Sequence, residues 1–214
     1  MWDISHGSKD TSDALEASKS ALKRQKIEQK TEDIQPRNYI NVKGGVNSLT
    51  WLDGDNLIAG CGDHAIKVVD VEHAYVIKQS ILTDNKLPTC MDTAFGNMIL
   101  AGCEDGVVRL FDTRVGSGAT RSGKQLAGEF KSHTKFIHQV CFNPQVENVF
   151  LSGGMDGVLK LWDIRNDEVP LANMKHKGKE NKEDFRIFAV DWNGASQILS
   201  GGSDSTITVN ALQD

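Results

Sequence analysis

Four side chains in the second half of this 214-residue chain are of the types used in acyl transfer: His133, Ser152, Asp156 and Trp162. A histidine held between a serine and an aspartate can take up the hydroxyl proton and so activate a nucleophile. Such a nucleophile needs an exposed, sharply turned backbone of the G-x-S-x-G kind. Ser152 stands instead in Phe150-Leu151-Ser152-Gly153-Gly154, which reads as the interior of a strand. There the same groups serve structure: the histidine bonds the aspartate, and the serine hydroxyl and indole N–H complete the chain. Left buried without a partner, each would cost about 1 to 3 kcal/mol. The four cysteines, Cys61, Cys90, Cys103 and Cys141, have no C-x-x-C spacing and no histidines at zinc-ligand distance. They read as small packing residues, and no metal, disulfide or cofactor is implied.

What positions these residues is a repeated hairpin. Asp156-Gly157 between two apolar runs signals a tight primed turn, because glycine accepts the positive φ that it demands. The frame [AS]-G-[CG]-x-D occurs four times, ending at the turn aspartates Asp63, Asp105, Asp156 and Asp204, and a β-rich run follows each. The interval is close to the repeat of about 40 to 45 residues, four strands per unit, that marks propeller blades. The expected fold is therefore all-β: an incomplete WD-repeat β-propeller with about four blades of an expected seven. Predicted strands are 46–51, 57–61, 65–70 and 75–79; then 89–93, 98–103, 107–112 and 125–130; then 136–142, 149–153, 158–163 and 171–174; and last 187–192, 198–202 and 206–211. Among the turn aspartates, Asp63, Asp105 and Asp204 lack a Ser-His or Gly-His ahead of their first strand. They are expected to rely on backbone partners and to be less rigid than the third.

Around this core the composition changes. Met1-Trp2-Asp3-Ile4 looks like the end of a truncated blade, and 37–42 like the outer strand that completes it. Between them, 5–35 is rich in Ser, Asp, Glu, Lys and Gln, and is expected to be a disordered polar insertion ahead of blades covering 36–214. Within it Lys23, Arg24 and Lys26 form a short basic cluster, a candidate nuclear import signal. A net charge of −5 argues against a protein that grips nucleic acid through phosphates. The 175–182 loop interleaves lysines with Glu180 and carries no aromatic residue for base stacking. No apolar stretch could cross a bilayer and the N-terminus lacks a signal-peptide layout, which implies a soluble intracellular protein. Arg114 and Arg165 close consecutive D-x-R endings. They read as salt bridges to a neighbouring loop or, more sharply, as a rim for docking a protein partner.

Taken together, several stretches resemble one WD-repeat group, the Ytm-type ribosome biogenesis factors known in animals as WD-repeat protein twelve. The carriers are the polar insertion with Lys23-Arg24-Gln25-Lys26, Gly62-Asp63-His64-Ala65-Ile66-Lys67-Val68, Asp112-Thr113-Arg114-Val115-Gly116, Ser132-His133-Thr134, the run from Gly153 to Arg165, Pro170-Leu171, and Phe188-Ala189-Val190-Asp191-Trp192. The resemblance covers that family's last four blades. It implies a non-enzymatic scaffold in large ribosomal subunit biogenesis, acting in processing of large-subunit and 5.8S rRNA precursors. The implied partners are pescadillo-type and block-of-proliferation-type proteins on the pre-60S particle, with no small-molecule substrate, membrane or sequence-specific nucleic acid. The implied location is the nucleus, in nucleolus and nucleoplasm. The family's ubiquitin-like domain, which engages a midasin-type ATPase, has no counterpart in the sequence. Paired D-x-R endings also suit a substrate receptor of a cullin ubiquitin ligase, which is the alternative.

Overall fold

Short apolar runs punctuated by Gly and Asp give strands of four to seven residues. In the computed structural model, which describes residues 39–72, 76–94, 97–115, 125–175 and 185–212, fifteen strands form four sheets. The first sheet holds β1 (Val46–Trp51), β2 (Asn56–Cys61), β3 (Ala65–Asp70) and β4 (Val76–Leu82). The second holds β5 (Pro88–Ala94), β6 (Met98–Cys103), β7 (Val107–Asp112) and β8 (Leu126–Lys131). The third holds β9 (Ile137–Phe142), β10 (Val149–Gly154), β11 (Val158–Asp163) and β12 (Ala172–Lys175). The described part of the fourth holds β13 (Ile187–Asn193), β14 (Gln197–Gly202) and β15 (Ile207–Ala211). Every pairing is antiparallel and follows chain order, so each sheet is a propeller blade and the described residues form an all-β fold.

Most strand boundaries fall within a residue or two of those the sequence predicts, but two expectations need correction. Residues 39–42 are not a strand. Gly44, at φ +73°, bends the chain so that the Gly45 carbonyl accepts from the Gly62 N–H at 2.8 Å, which leads directly into β1. The hairpin turn is also not a two-residue primed turn. It is a three-residue loop, Met155-Asp156-Gly157 in the third sheet, in which the residue after the aspartate is left-handed and its N–H bonds the last strand carbonyl. The left-handed residues are His64, Gly106, Gly157 and Ser205. A side chain at Gly106 would run into the His133 carbonyl, and one at Gly157 into that of Phe185, so glycine suits close approach as well as positive φ. The expectations for 1–4, for 5–35 with Lys23, Arg24 and Lys26, and for most of the 175–182 loop lie outside the described residues.

The core consists of the seams between consecutive sheets. Ile58, Ile66, Val68 and Ile81 of the first sheet pack on Met91, Ile99 and Phe111 of the second. Leu100, Val108, Leu110 and Phe130 of the second meet Val140, Phe142, Phe150 and Trp162 of the third. Leu151, Leu159 and Leu161 of the third meet Ile187, Val190, Trp192 and Ile198 of the fourth. Polar bonds cross the same seams at the first strands. The Thr93 hydroxyl donates to the Trp51 carbonyl at 2.7 Å, the Phe142 N–H to Asp92 Oδ2 at 2.7 Å, and the Trp192 indole N–H to the Cys141 carbonyl at 3.3 Å. Each sheet is thus stabilised by stacking on its neighbour, as in other repeat architectures.

Candidate functional site

The third sheet brings together all four residues singled out at the start. Ser152 is central in β10, paired with Lys160, and Trp162 is on β11, paired with Phe150. Asp156 occupies the middle of the β10–β11 loop, and His133 comes from the connection between β8 and β9. His133 Nδ1 lies 2.8 and 3.0 Å from the two Asp156 oxygens, and Nε2 lies 2.9 Å from Ser152 Oγ. Trp162 Nε1 donates to the same hydroxyl oxygen at 3.3 Å. A carboxylate can only accept and an indole N–H can only donate, so with a single ring proton, on Nδ1, the whole chain runs one way. The indole gives to Ser152, Ser152 gives to Nε2, and Nδ1–H gives to Asp156. Burial pushes the Asp156 carboxyl up, but the bonds from His133 and from the Thr134 and Val158 N–H groups outweigh it and hold the carboxyl below its ordinary range.

Serine, histidine and aspartate here have the distances of a catalytic relay, yet the setting is unlike one. Ser152 is 0% exposed and its oxygen already receives the indole N–H. Trp162 is 1% exposed, stacked on Phe150 at 6.2 Å and edge-on to Phe130 at 5.5 Å. A carbonyl substrate would have to displace a packed ring to reach the hydroxyl. The network joins sheets instead: the His133 N–H bonds the Gly106 carbonyl of the second sheet at 2.8 Å while its ring reaches into the third.

The other turn aspartates take side-chain partners that the sequence reading did not foresee, in addition to backbone ones at Asp105 and Asp204. Asp105 receives a two-pronged guanidinium from Arg109, at 3.0 and 2.9 Å, and Arg109 Nε donates to Glu129 at 3.0 Å. Burial raises the Asp105 carboxyl, but Arg109 more than offsets this and the net shift is downward. Asp63 is held by Lys67 Nζ at 2.8 Å, and Asp204 takes the Thr206 hydroxyl at 2.6 Å. Lys67 and Arg109 are buried, at 8% and 5% exposure. What three loops share is the aspartate accepting the N–H two residues on: Val107, Val158 and Thr206. Reading the sequence missed Lys67, Arg109 and Glu129. At Asp63 and Asp105 the loop folds the strand position four residues on back beside the carboxylate, but the spacing alone is no signal, since Lys160 stands so after Asp156, which is held by His133.

The D-x-R arginines close on their own aspartates rather than on a neighbouring loop. Arg114 lies 2.7 Å from Asp112 and Arg165 2.5 Å from Asp163, and in both the arginine N–H also donates to Oδ1. The Arg165 hydrogen bonds hold the Asp163 carboxyl at about 2. Both arginines remain largely exposed, at 66% and 73% of the side chain. All four cysteines are free thiols. Burial pushes Cys90 and Cys141 up to about 12 and Cys103 to about 11, which leaves little reactive thiolate. Among the described residues no cluster of His, Cys, Asp and Glu could hold a metal, and no helix is long and apolar enough to cross a membrane.

Residues 124–163, which carry the four-group network, match the family model described as WD domain, G-beta repeat. A protein named ribosome biogenesis protein WDR12 homolog from Trichoplax adhaerens is 32% identical over 169 residues, covering 77% of this chain and 36% of that protein. Its namesake from Drosophila yakuba is 27% identical over 210 residues, covering 97% of this chain and 46% of the relative. The chain is thus homologous to these proteins over most of its own length, and spans less than half of theirs. Among solved structures it resembles the computationally designed Ika4 protein, with a TM-score of 0.64 at 20% identity over 82% of this chain and 96% of that one. It also resembles a chain of the mitotic checkpoint complex, with a TM-score of 0.62 at 20% identity over 76% of this chain and 46% of that one. Those two likenesses speak to the fold alone.

Proposed function

We propose that this chain is a non-enzymatic WD-repeat scaffold in large ribosomal subunit biogenesis, acting in processing of the large-subunit and 5.8S rRNA precursors. The observation that carries the reading is homology across 77% of the chain to proteins named for ribosome biogenesis. The burial of Ser152 supports a structural role for its network, because this Ser-His-Asp geometry, the most enzyme-like among the described residues, is closed to solvent at the hydroxyl. Stacked blades are a rigid platform, and function on such a platform resides in what it displays. In this reading the blades of 36–214 present partner surfaces to pescadillo-type and block-of-proliferation-type proteins on the pre-60S particle. Arg114 and Arg165 are candidate rim contacts. The basic cluster at Lys23, Arg24 and Lys26 is a candidate import signal for nucleolar and nucleoplasmic residence. The ligase-receptor alternative has no support in the relatives, which are named for ribosome biogenesis.

The test is affinity purification from nuclear extract, with rRNA precursors followed after depletion of the protein. Pre-60S particles should co-purify, and large-subunit and 5.8S precursors should accumulate. Unchanged precursors on depletion would remove the ribosome reading, and recovery of ligase subunits in place of pre-ribosomes would favour the alternative.

A further inference from the structure

The seam between the second and third sheets holds a carboxylate that no cation neutralises. Asp92 stands near the end of β5 and is half-buried. Its Oδ1 accepts the Thr93 N–H at 2.8 Å, and its Oδ2 accepts the Phe142 N–H of the third sheet at 2.7 Å. Two peptide N–H groups fix where the carboxylate points but bring no net charge. The titratable groups beside it bring no positive charge either: Cys141, a thiol pushed up to about 12, and Asp191, a second acid. Asp63, Asp70, Asp105 and Asp112 each have a lysine or arginine against them, whereas Asp92 is in no ion pair among the described residues. Burial accordingly pushes its carboxyl above the ordinary range, and the N–H bonds do not offset the rise.

Beside this group opens a cavity of about 350 Å³, walled by Asp92, Thr93, Ala94, Phe142, Asn143 and Pro144. That is the lower end of the roughly 300 to 1,000 Å³ typical of ligand pockets. The second and third sheets each have a sheet on either side, so the cavity belongs to the interior of the stack. The other polar groups of the wall are already engaged. The Thr93 hydroxyl donates to the Trp51 carbonyl, the Asn143 amide N–H to the Ala195 carbonyl, and the Asn143 oxygen accepts from the Gln145 and Val146 N–H groups. Ala94, Phe142 and Pro144 supply an apolar lining. One unneutralised carboxylate in such a wall suits an apolar stem that ends in a cation, since an anion is repelled and a neutral chain leaves the charge unpaired. Pro144 leads into the exposed Gln145, Val146 and Glu147, a surface for the backbone that carries the stem.

We infer that this cavity takes a lysine or arginine side chain of a partner protein, its stem against Ala94, Phe142 and Pro144 and its cation on Asp92. The inference goes beyond the scaffold reading by naming what one surface recognises, and it stands whether or not that partner acts in ribosome assembly.

The test is heteronuclear NMR of the full 214-residue chain, titrated with a blocked glycine-lysine-glycine peptide. The amide signals of Thr93 and Phe142, whose N–H groups donate to Asp92, should shift saturably. The peptide with norleucine in place of lysine keeps the stem and loses the charge, and should bind at least tenfold more weakly. Free n-butylammonium, which lacks the backbone, should bind severalfold more weakly. Asp92→Asn should weaken the lysine peptide at least tenfold, with folding checked by circular dichroism. Ala94→Leu narrows the cavity and leaves the carboxylate in place, and should weaken it severalfold. No saturable shift at Thr93 and Phe142 would overturn the inference. So would equal binding of the norleucine peptide, full affinity in either folded variant, or equal binding of n-butylammonium, which would assign the cavity to a small amine.

Discussion

Asp105 and Asp156 occupy the same place in neighbouring sheets, yet they are closed by different chemistry. Asp105 takes a guanidinium from four residues further along its own hairpin, and Asp156 takes an imidazole from the connection ahead of its sheet. The surroundings differ in step. The position of Ser152 is Ala101 in the second sheet, and that of Trp162 is Phe111, all of them buried. Between these two sheets the hydroxyl and indole stand where an imidazole nitrogen is present and apolar residues where it is absent, although the fourth sheet also buries a serine, Ser200, at the level of Ser152. The aspartate serves its own loop in both sheets. The histidine adds a tie between sheets and satisfies two further buried groups.

That contrast can be broken most forcefully at Trp162. Trp162→Ala empties a site between Phe130 and Phe150 and should cost about 3 to 5 kcal/mol in urea denaturation followed by circular dichroism. Arg109→Met should cost about 2 kcal/mol, below the usual toll for a broken buried pair because Asp105 and Glu129 are partly solvated. Ser152→Ala leaves an indole N–H and an imidazole nitrogen unpaired and should cost about 1 to 2 kcal/mol. The reciprocal Ala101→Ser should also destabilise, because the second sheet offers no imidazole to receive the hydroxyl. A gain in stability from Ala101→Ser would show that the hydroxyl does not depend on the histidine.

The acid limb sharpens the same comparison. The folded Asp156 carboxyl lies below its unfolded value, so its contribution is present above about pH 4, where the unfolded group is ionised, and is lost as pH falls through the folded value. Asp156→Asn should therefore flatten the loss of stability below pH 4, in urea midpoints measured at several pH values. The smallest effect should come from the rim. Arg165→Ala should leave the neutral-pH midpoint where it is, since the pair is exposed.

The aspartate frame made the strand order legible, because each hairpin repeats a local signal that survives without tertiary context. The loop type was not legible from Asp-Gly, since His64 and Ser205 take the left-handed position as Gly106 and Gly157 do. The four-group network could be located from residue types and spacing. The cations on Asp63 and Asp105 could not, because a spacing of four is usually read as helical and here arises from a loop folding back on a strand. The seam bonds from Thr93 and Trp192 end on backbone carbonyls, which leave no trace in residue identity.

The central claim is that the third-sheet network is a one-way structural chain sealed from solvent. Nitrogen-15 NMR of the His133 imidazole tests it most directly. The hydrogen-bond pattern predicts a proton on Nδ1 directed at Asp156, a bare Nε2 accepting from Ser152, and slow exchange of the Nδ1 proton. A proton on Nε2, or rapid exchange with solvent, would contradict it.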